Sequence, residues 1–317
     1  MGVALFTLGG TISMAGRDRL DGAALTAAIP GLETLDEPLD IHDRKPVGSG
    51  SLTFVQVLDV AESASAAVRA GAPGVVITQG TDTLEETAYL LDLIWPHEEP
   101  LVLTGAMRNP TLAGHDGPAN VLAAARVAAA ASTRGLGALV VFNDEIHAAR
   151  WVRKTHSTST ATFVSPDTGP VGHVIEGHVR VLSAPPRPAP LPAPTATARV
   201  ALHTVTLDDE PDSLAALAAG QDGLVFAGFG VGHAPAVLVP ALGELAARMP
   251  VVLTSRTGAG SVLRSTYDAP GSEIDLLSRG LINGGLLHPY KARVLLKVLL
   301  GSGADHDAVS VAFAERG

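Results

Sequence analysis

A threonine, an aspartate and a lysine in this sequence form a set that can activate a hydroxyl group. Thr81 and Asp82 follow one short apolar run, and Lys154 follows a charged segment much later in the chain. A hydroxyl is a poor nucleophile until a base takes its proton, and a lysine withdrawn from water can give up its own proton and serve as that base. This chemistry requires Lys154 to lie close to Thr81 in the folded protein.

Glycine-rich segments follow two further apolar runs. Gly9-Gly10-Thr11 follows the first run, and Gly105-Ala106 follows a later one. Glycines allow a backbone to approach a ligand closely, and the amide N–H groups beside them can bind its oxygen atoms. Taken singly, a tight turn explains these glycines, a helix-terminal acid explains Asp82, and a solvated loop explains the charges around Lys154. The chemical interpretation therefore depends on the elements that bring these segments together.

The apolar runs alternate with helical patterns. Buried strands are predicted over 3–8, 74–78, 101–104 and 139–142. Thr83 and Glu86 predict a capping box for a helix over 84–94, and Asp116 is predicted to cap a helix over 119–130. This alternation predicts an α/β fold with a larger N-terminal domain, in which helices cover a mostly parallel sheet. Ligands bind beyond the carboxyl ends of such strands, which is where the candidate residues stand.

A proline-rich segment divides the chain. From Ala184 to Pro194 the sequence is Ala-Pro-Pro-Arg-Pro-Ala-Pro-Leu-Pro-Ala-Pro, which predicts a semi-rigid connector. We therefore predict an N-terminal catalytic domain over 1–184, a linker over 185–196 and a smaller C-terminal α/β domain over 197–317. In the last domain, strands are predicted over 200–205, 224–227 and 251–254, and helices over 213–219, 240–247 and 289–300.

Composition excludes several functional classes. Of 317 residues, 46% are hydrophobic and 17% charged, which is typical of a globular protein. The net charge of −10 and the lack of a Lys/Arg-rich run argue against nucleic-acid binding and favour a small-molecule partner. No apolar run is long enough to span a bilayer and no secretory signal is visible, so we expect a cytoplasmic protein. With 0 cysteines, and 11 histidines that lack metal-ligand spacing, no metal site is predicted.

Five segments, in this order and spacing, resemble the bacterial L-asparaginase family. They are residues 8–12, 79–88, 104–108, 116–120 and 154–155. The resemblance implies hydrolysis of the side-chain amide of L-asparagine to L-aspartate and ammonia. It also implies a threonine acyl-enzyme, no cofactor, and a homodimer or homotetramer whose sites are completed by the adjacent subunit's C-terminal domain.

Individual positions match the family's functional residues. The catalytic positions implied by the resemblance are Thr11 as the nucleophile, with Thr81, Asp82 and Lys154. The substrate-binding positions are Ser49, Gly50, Asp82, Ala106 and, by a looser match, Glu273. In this assignment the Asp82 carboxylate holds the α-amino group of the substrate and Ser49 its α-carboxylate. The backbone at Ala106 faces the amide that is cleaved.

Two departures from the family pattern bear on activity. Gly50 stands where well-known members place a glutamine against the substrate, so affinity or amino-acid preference is expected to differ. Family members usually carry a tyrosine in the loop after the nucleophile, and it helps to deprotonate that residue. Here no tyrosine occurs from Ser13 to Asp36, where the loop carries Arg17, Asp18, Arg19 and Asp21. Either another group then deprotonates the nucleophile, or catalysis is weak.

Three alternatives to an asparaginase remain from the sequence. The first is a broader amidase that acts on glutamine, D-asparagine or an aspartyl peptide. The second is a catalytically dead homologue that binds an acidic amino acid, although the presence of Thr11, Thr81, Asp82 and Lys154 argues against it. The third is a subunit of a transfer-RNA amidotransferase, which is disfavoured because the chain shows no additional RNA-binding domain.

Overall fold

The computed structural model describes residues 2–9, 14–15, 18–19, 26, 29–44 and 47–317. They fall into two units, Met1–Leu191 and Pro192–Gly317. The candidate nucleophile Thr11 and the loop residues Arg17 and Asp21 lie outside the described residues.

Most strands of the N-terminal unit belong to one sheet. The strands of this unit are β1 (Val3–Thr7), β2 (Met14–Ala15), β3 (Asp18–Arg19), β4 (Leu39–Asp43), β5 (Val75–Thr78), β6 (Leu101–Thr104), β7 (Ala138–Phe142), β8 (Glu145–Ala148), β9 (Arg153–Lys154), β10 (Phe163–Val164), β11 (Gly172–Ile175) and β12 (His178–Val181). Eight of them form the sheet β12-β11-β8-β7-β6-β5-β1-β4, and β2-β3 and β9-β10 form two short ribbons. The five strands from β4 to β7 in this order are parallel, whereas β8, β11 and β12 add antiparallel pairs. This confirms the predicted mostly parallel α/β sheet.

Four of the five parallel strands are buried on both faces, whereas the edge strand β4 is partly exposed. All residues of β1, β5, β6 and β7 are buried, and their sequences are runs of Val, Leu, Ile and Ala rather than apolar–polar alternations. Such runs are typical of parallel strands because connecting helices pack against both sides of the sheet. Among the described residues of this unit, the α-helices are α1 (Phe54–Arg69), α2 (Leu84–Ile94) and α3 (Gly117–Ala129).

The predicted helix caps are partly wrong. Thr83 lies at the N-cap of α2, but its side chain makes no capping hydrogen bond, so the predicted capping box with Glu86 does not form. Its hydroxyl instead donates to the carbonyl of Ser49 at 2.9 Å. Asp116 occupies the N-cap position of α3 without a side-chain cap bond, because its carboxylate accepts backbone N–H groups from a loop described below. The Thr83 hydroxyl serves a neighbouring segment, and the Asp116 carboxylate binds a neighbouring loop as well as the Asn120 side chain of its own helix.

The C-terminal unit contains a smaller parallel sheet. Its strands β13 (Val200–Thr204), β14 (Gly223–Gly228), β15 (Val251–Ser255) and β16 (Ile282–Asn283) are all parallel and lie in that order. Its helices are α4 (Pro211–Ala218), α5 (Val239–Ala246), α6 (Glu273–Ser278), α7 (Pro289–Gly301) and α8 (His306–Arg316). This confirms the predicted smaller α/β domain. The sequence analysis did not predict α6 and α8.

The proline-rich segment is attached to both units. Arg187 donates to the Asp92 carboxylate at 3.0 Å, and Leu191 N–H donates to Leu93 O, all within the N-terminal unit. Thr195 and Ala196 donate to the Gly301 carbonyl within the C-terminal unit. The division after Leu191 falls inside the linker predicted over 185–196, whose limits remain a prediction.

None of the described helices has the length and apolar character needed to cross a membrane.

Gly74 provides a test of the packing between sheet and helix. It precedes β5, and a Cβ at this position would overlap the Ala128 carbonyl near the end of α3. We expect Gly74→Ala to lower the free energy of unfolding by about 1–3 kcal/mol, because the clash involves backbone that must shift. Denaturant unfolding followed by circular dichroism measures this change.

Gly243→Ala is the matched control. Gly243 lies inside α5, and its Cβ would meet only the Arg279 side chain, at 3.6 Å or more. Gly243→Ala should raise the free energy of unfolding by about 0.5–1 kcal/mol, because alanine restricts the unfolded chain more than glycine does. A Gly74→Ala protein as stable as the wild type would contradict the packing described here.

Candidate active site

Parallel strands bring three of the sequence segments to one edge of the sheet. In the register of the sheet, Thr7 pairs with Thr78 and Thr78 with Thr104. The segments that follow these three residues therefore start at the same level. Hydrogen bonds continue beyond the strands, since Leu8 N–H donates to Thr78 O at 2.9 Å and Gln79 N–H donates to Thr104 O at 3.0 Å. The beginnings of residues 8–12, 79–88 and 104–108 thus lie side by side.

Lys154 reaches this edge from the β9-β10 ribbon. Its Nζ donates to Thr81 Oγ1 at 2.9 Å and lies 3.4 Å from Asp82 Oδ1. Thr81 is buried, the Lys154 side chain is 19% exposed, and the Asp82 side chain is 70% exposed. The structure thus provides the proximity of Lys154 to Thr81 that the chemical hypothesis requires, with the Asp82 carboxylate open to a ligand.

Ser49 lies against Asp82 through two hydrogen bonds. Its hydroxyl donates to Asp82 Oδ2 and accepts from Asp82 N–H, each at 3.2 Å. The Ser49 carbonyl accepts from Thr83 Oγ1, as described above, so the short 3-10 turn Ser49–Ser51 is fixed to the start of α2. A hydroxyl and a carboxylate side by side suit a ligand that carries both an anion and a cation.

Gly50 leaves space beside the Asp82 carboxylate. A Cβ built on Gly50 would have Asp82 Oδ2 at 4.0 Å and no other atom of the described residues within 4 Å. The backbone of Gly50 is outside the left-handed region, so a side chain can be placed there without backbone strain.

The Gly105-Ala106 backbone is held by two side chains of α3 and its N-cap. The Asp116 carboxylate accepts N–H groups from Met107 at 3.0 Å and from Arg108 at 2.9 Å. Asn120 Nδ2 donates to Gly105 O at 3.0 Å. A Cβ on Gly105 would overlap the Gln79 carbonyl, so glycine permits the close approach of these two loops. Ala106, which is 1% exposed, is thereby fixed in place.

The sequence analysis missed the loop-holding role of Asp116 and Asn120. Asn120 Oδ1 also accepts Asn143 N–H at 3.0 Å, which ties the Gly105 loop to the turn between β7 and β8. Asn143 and Asp144 in that turn have positive φ angles of 52° and 60°. A buried asparagine within an alanine-rich helix was the available signal, because buried amides require hydrogen-bond partners.

Glu85 is a second residue that the sequence analysis missed. It lies in the first turn of α2, is 6% exposed, and accepts Lys154 N–H on Oε2 at 3.1 Å. Its helical spacing from the buried Ala88 and Tyr89 placed it on the buried face of α2, where a carboxylate is unusual.

Glu273 belongs to the C-terminal unit and is fully buried there. Its Oε1 accepts N–H groups from Thr266 and Tyr267, both at 2.8 Å, and its Oε2 lies 3.2 Å from His233 Nε2. Burial is the largest influence on its pKa and acts to raise it. The backbone N–H donors and His233 together outweigh burial and hold the pKa below its usual value. The carboxylate therefore fixes the loop at Thr266 and Tyr267.

The described part of the site thus contains a lysine in contact with a hydroxyl, an exposed carboxylate, a serine hydroxyl and a fixed glycine-rich loop. Thr11 follows β1 in sequence but lies outside the described residues; of its glycine pair, Gly9 is described, with a φ of 90°. The catalytic and binding roles of these residues remain predictions. Their arrangement can transfer a proton between a lysine and a hydroxyl and can bind a small zwitterion.

Family models match both units of the chain. Residues 2–187 match the model described as "Asparaginase, N-terminal", and residues 199–313 match "Glutaminase/Asparaginase C-terminal domain". A probable L-asparaginase of Deinococcus radiodurans is 36% identical over 328 residues, which cover 99% of this chain and 97% of that protein. A probable periplasmic L-asparaginase of Haemophilus influenzae is 32% identical, with 99% of this chain and 92% of that protein covered.

A solved structure agrees with these matches. The crystal structure of a probable cytoplasmic L-asparaginase from Campylobacter jejuni superposes with a TM-score of 0.88 at 30% sequence identity. The similarity covers 99% of this chain and 99% of that one. With both family models matched in order along nearly the whole sequence, this chain belongs to the asparaginase family of amidohydrolases.

Proposed function

We propose that the protein hydrolyses the side-chain amide of L-asparagine to L-aspartate and ammonia through an acyl-enzyme on Thr11. The observation that carries this proposal is the contact between Lys154 Nζ and Thr81 Oγ1, 2.9 Å long, at the edge of the sheet where β1 also ends. A lysine and a threonine in contact at this edge provide a route by which a nucleophilic hydroxyl can lose its proton.

The proposed reaction has two halves. The Thr11 hydroxyl attacks the side-chain carbonyl carbon and passes its proton towards Thr81 and Lys154, and the C–N bond then breaks as the leaving nitrogen takes a proton to form ammonia. Water attacks the resulting ester, which releases aspartate and restores the Thr11 hydroxyl. The backbone N–H group of Ala106 in the fixed Gly105-Ala106 loop is suited to stabilise the oxyanion of each half.

Asp82 and Ser49 are the proposed contacts for the α-amino acid part of the substrate. Most of the Asp82 carboxylate surface is open to a ligand, and an acid is required to bind the α-ammonium group. The adjacent Ser49 hydroxyl can turn to donate to the α-carboxylate. The backbone at Ala106 is proposed to face the amide that is cleaved, because the bonds from Asp116 and Asn120 hold it rigid.

A broader amidase activity is the second candidate, and Gly50 is the observation that favours it. The space beside Asp82 Oδ2 leaves the α-amino end of the site less enclosed than a larger residue would. A less enclosed pocket discriminates less between L-asparagine, D-asparagine and glutamine. A protein that only binds an acidic amino acid is disfavoured, because such a role does not need Lys154 in contact with Thr81.

Oligomeric state and location are also proposals. We propose a homodimer or homotetramer, since the family resemblance implies sites that are completed by the adjacent subunit's C-terminal domain, and light scattering measures this. We propose a cytoplasmic location, which is the one named for the Campylobacter jejuni protein, although the Haemophilus influenzae relative is named as periplasmic.

Ammonia release by the purified protein tests the function directly. With L-asparagine, D-asparagine and L-glutamine assayed side by side, we expect L-asparagine to give the highest kcat/KM. Thr11→Ala should abolish ammonia release, because the nucleophile is lost, whereas Thr34→Ala, which removes an exposed hydroxyl, should retain full activity. A Thr11→Ala protein that keeps more than about a tenth of the wild-type kcat, a loss below about 1.4 kcal/mol, would exclude Thr11 as the nucleophile.

Substitution of Lys154 tests its role as the proton acceptor. Lys154→Met should lower kcat by about 100-fold or more, because the base in contact with Thr81 is lost. Asp18→Asn and Asp21→Asn are the controls in the loop that lacks the tyrosine, and each should keep the wild-type kcat. The lysine relay is wrong if Lys154→Met keeps most of the wild-type kcat while a loop variant loses it.

Gly50→Gln tests the open pocket. The added amide can bind substrate beside Asp82, so KM for L-asparagine should fall about 3- to 10-fold, as one additional hydrogen bond of about 0.5–1.5 kcal/mol allows. The activity on D-asparagine relative to L-asparagine should fall as well. Gly48→Gln is the matched control, since a Cβ there meets no described atom within 4 Å, and its KM should stay within 2-fold, about 0.4 kcal/mol, of the wild type. Unchanged KM values in Gly50→Gln would show that this space lies away from the substrate.

A further inference from the structure

Glu85 is a buried carboxylate that the proposed reaction does not use. It is 6% exposed and lies in the first turn of α2, where the helix dipole favours a negative charge. A carboxylate withdrawn from water requires hydrogen-bond donors. One of these donors is the backbone N–H of Lys154, 3.1 Å from Glu85 Oε2, although the two residues are 69 positions apart in sequence.

The backbone of Lys154 has little strand structure to support it. Strand β9 contains two residues and pairs with β10, so that Lys154 lies opposite Phe163. The next N–H along the chain, that of Thr155, donates to Thr162 O at 2.9 Å. Alternate N–H groups of a strand point to opposite sides, so the Lys154 N–H points away from β10. On that side the Glu85 carboxylate accepts the N–H group that a neighbouring strand would otherwise bind.

One short segment therefore holds Lys154 at both ends. Thr81 Oγ1 accepts from Nζ at 2.9 Å, Asp82 Oδ1 lies 3.4 Å from it, and Glu85 accepts the backbone N–H. Glu85 follows Thr81 and Asp82 closely in sequence, so the short segment that leads into α2 supplies all three side chains. A lysine side chain has several rotatable bonds, and its Nζ stays on Thr81 only if its backbone is also fixed.

We propose that Glu85 is a positioning residue that anchors the backbone of Lys154 and thereby keeps Nζ in hydrogen-bonding distance of Thr81. The proposal rests on the proposed function, in which Lys154 receives a proton through Thr81. It assigns to Glu85 no contact with the substrate. Small displacements of a reacting group cause large rate losses, so loss of this anchor should act on kcat.

Two conservative substitutions distinguish the effect of side-chain length at Glu85 from the effect of its negative charge. Glu85→Gln keeps the length of the side chain and an oxygen that accepts the Lys154 N–H, but removes the negative charge. Glu85→Asp keeps the charge and the helix-terminal acid, but is one methylene shorter and cannot reach that N–H. If Glu85 acts by position, the glutamine variant should stay active and the aspartate variant should not.

We expect the loss of the anchor to lower kcat and to leave KM nearly unchanged. Glu85→Asp should lower kcat for L-asparagine about 10- to 100-fold with KM within about 2-fold of the wild type, because Asp82 and Ser49 still bind the substrate. Glu85→Gln should retain kcat within about 3-fold. Thermal unfolding of each purified variant shows whether it is folded at the assay temperature, and near-isosteric Glu85→Gln provides a folded reference.

Asp92 offers a control on the same helix. It is a partly buried acid near the other end of α2, and its Oδ1 accepts a backbone N–H, that of Ala138, at 3.0 Å. Asp92→Asn should lower the unfolding temperature through its lost ion pair with Arg187, yet leave kcat and KM unchanged. A fall in kcat of the same size in Asp92→Asn and Glu85→Asp would show that general destabilisation of α2 is the cause, and would overturn the proposal.

Other outcomes also decide the matter. Wild-type kcat in Glu85→Asp would overturn the anchoring role, and so would an equal loss in both Glu85 variants, because an acceptor at the right distance would then not be sufficient. The proposed function fails separately. It fails if the wild-type protein releases no ammonia from any of the three amides, or if Lys154→Met is fully active. If Lys154→Met is inactive and Glu85→Asp is fully active, the proposed function is supported and only the anchoring role of Glu85 is excluded.

Discussion

The hydrogen bond from Lys154 Nζ to Thr81 Oγ1 joins segments that are 73 positions apart in sequence. It forms only if a ribbon after β8 returns over the carboxyl edge of the parallel sheet, so it depends on the order of strands from β5 to β8. The hydrogen bond between the amine and the hydroxyl is strengthened by the partial withdrawal of Lys154 from water, because electrostatic interactions strengthen where water is scarce. The surrounding loops are arranged to keep that edge fixed while leaving the Asp82 carboxylate exposed.

Several polar side chains that local rules assign to helix ends are used here to fix loops. The hydroxyl of Thr83 binds the Ser49 carbonyl, and the Asp116 carboxylate binds the N–H groups of Met107 and Arg108. Neither helix has a side-chain cap bond at its N-terminus, and the same side chains instead fix the loops at the candidate site. Departures from local rules are expected where function demands a particular geometry, since those rules describe the helix alone.

The strands and the glycine-rich turns could be predicted because their signals are local. Buried strands β1, β5 and β6 are short runs of large aliphatic residues that end near glycine or polar residues. The anchoring of Lys154 by Glu85 could not be predicted in this way, because it joins residues that only the folded topology brings together. Helix α8 was missed although Asp305 caps it and Val309, Ala312 and Phe313 are buried at helical spacing. Its charged and polar residues weaken the periodic pattern that the prediction relies on.

The first part of the proline-rich segment after β12 is bound to the N-terminal unit by hydrogen bonds and an ion pair. Burial raises the pKa of Asp92, and Arg187, which lies in the connector, is the strongest influence that lowers it. Arg187 also donates to the carbonyl oxygens of Asp92 and Trp95. A chain cut before Arg187 would keep every strand and helix of the N-terminal unit but would leave an acid inside it without its counter-ion, which is a costly arrangement. An N-terminal fragment that keeps this ion pair therefore extends past the last strand, at least as far as Arg187.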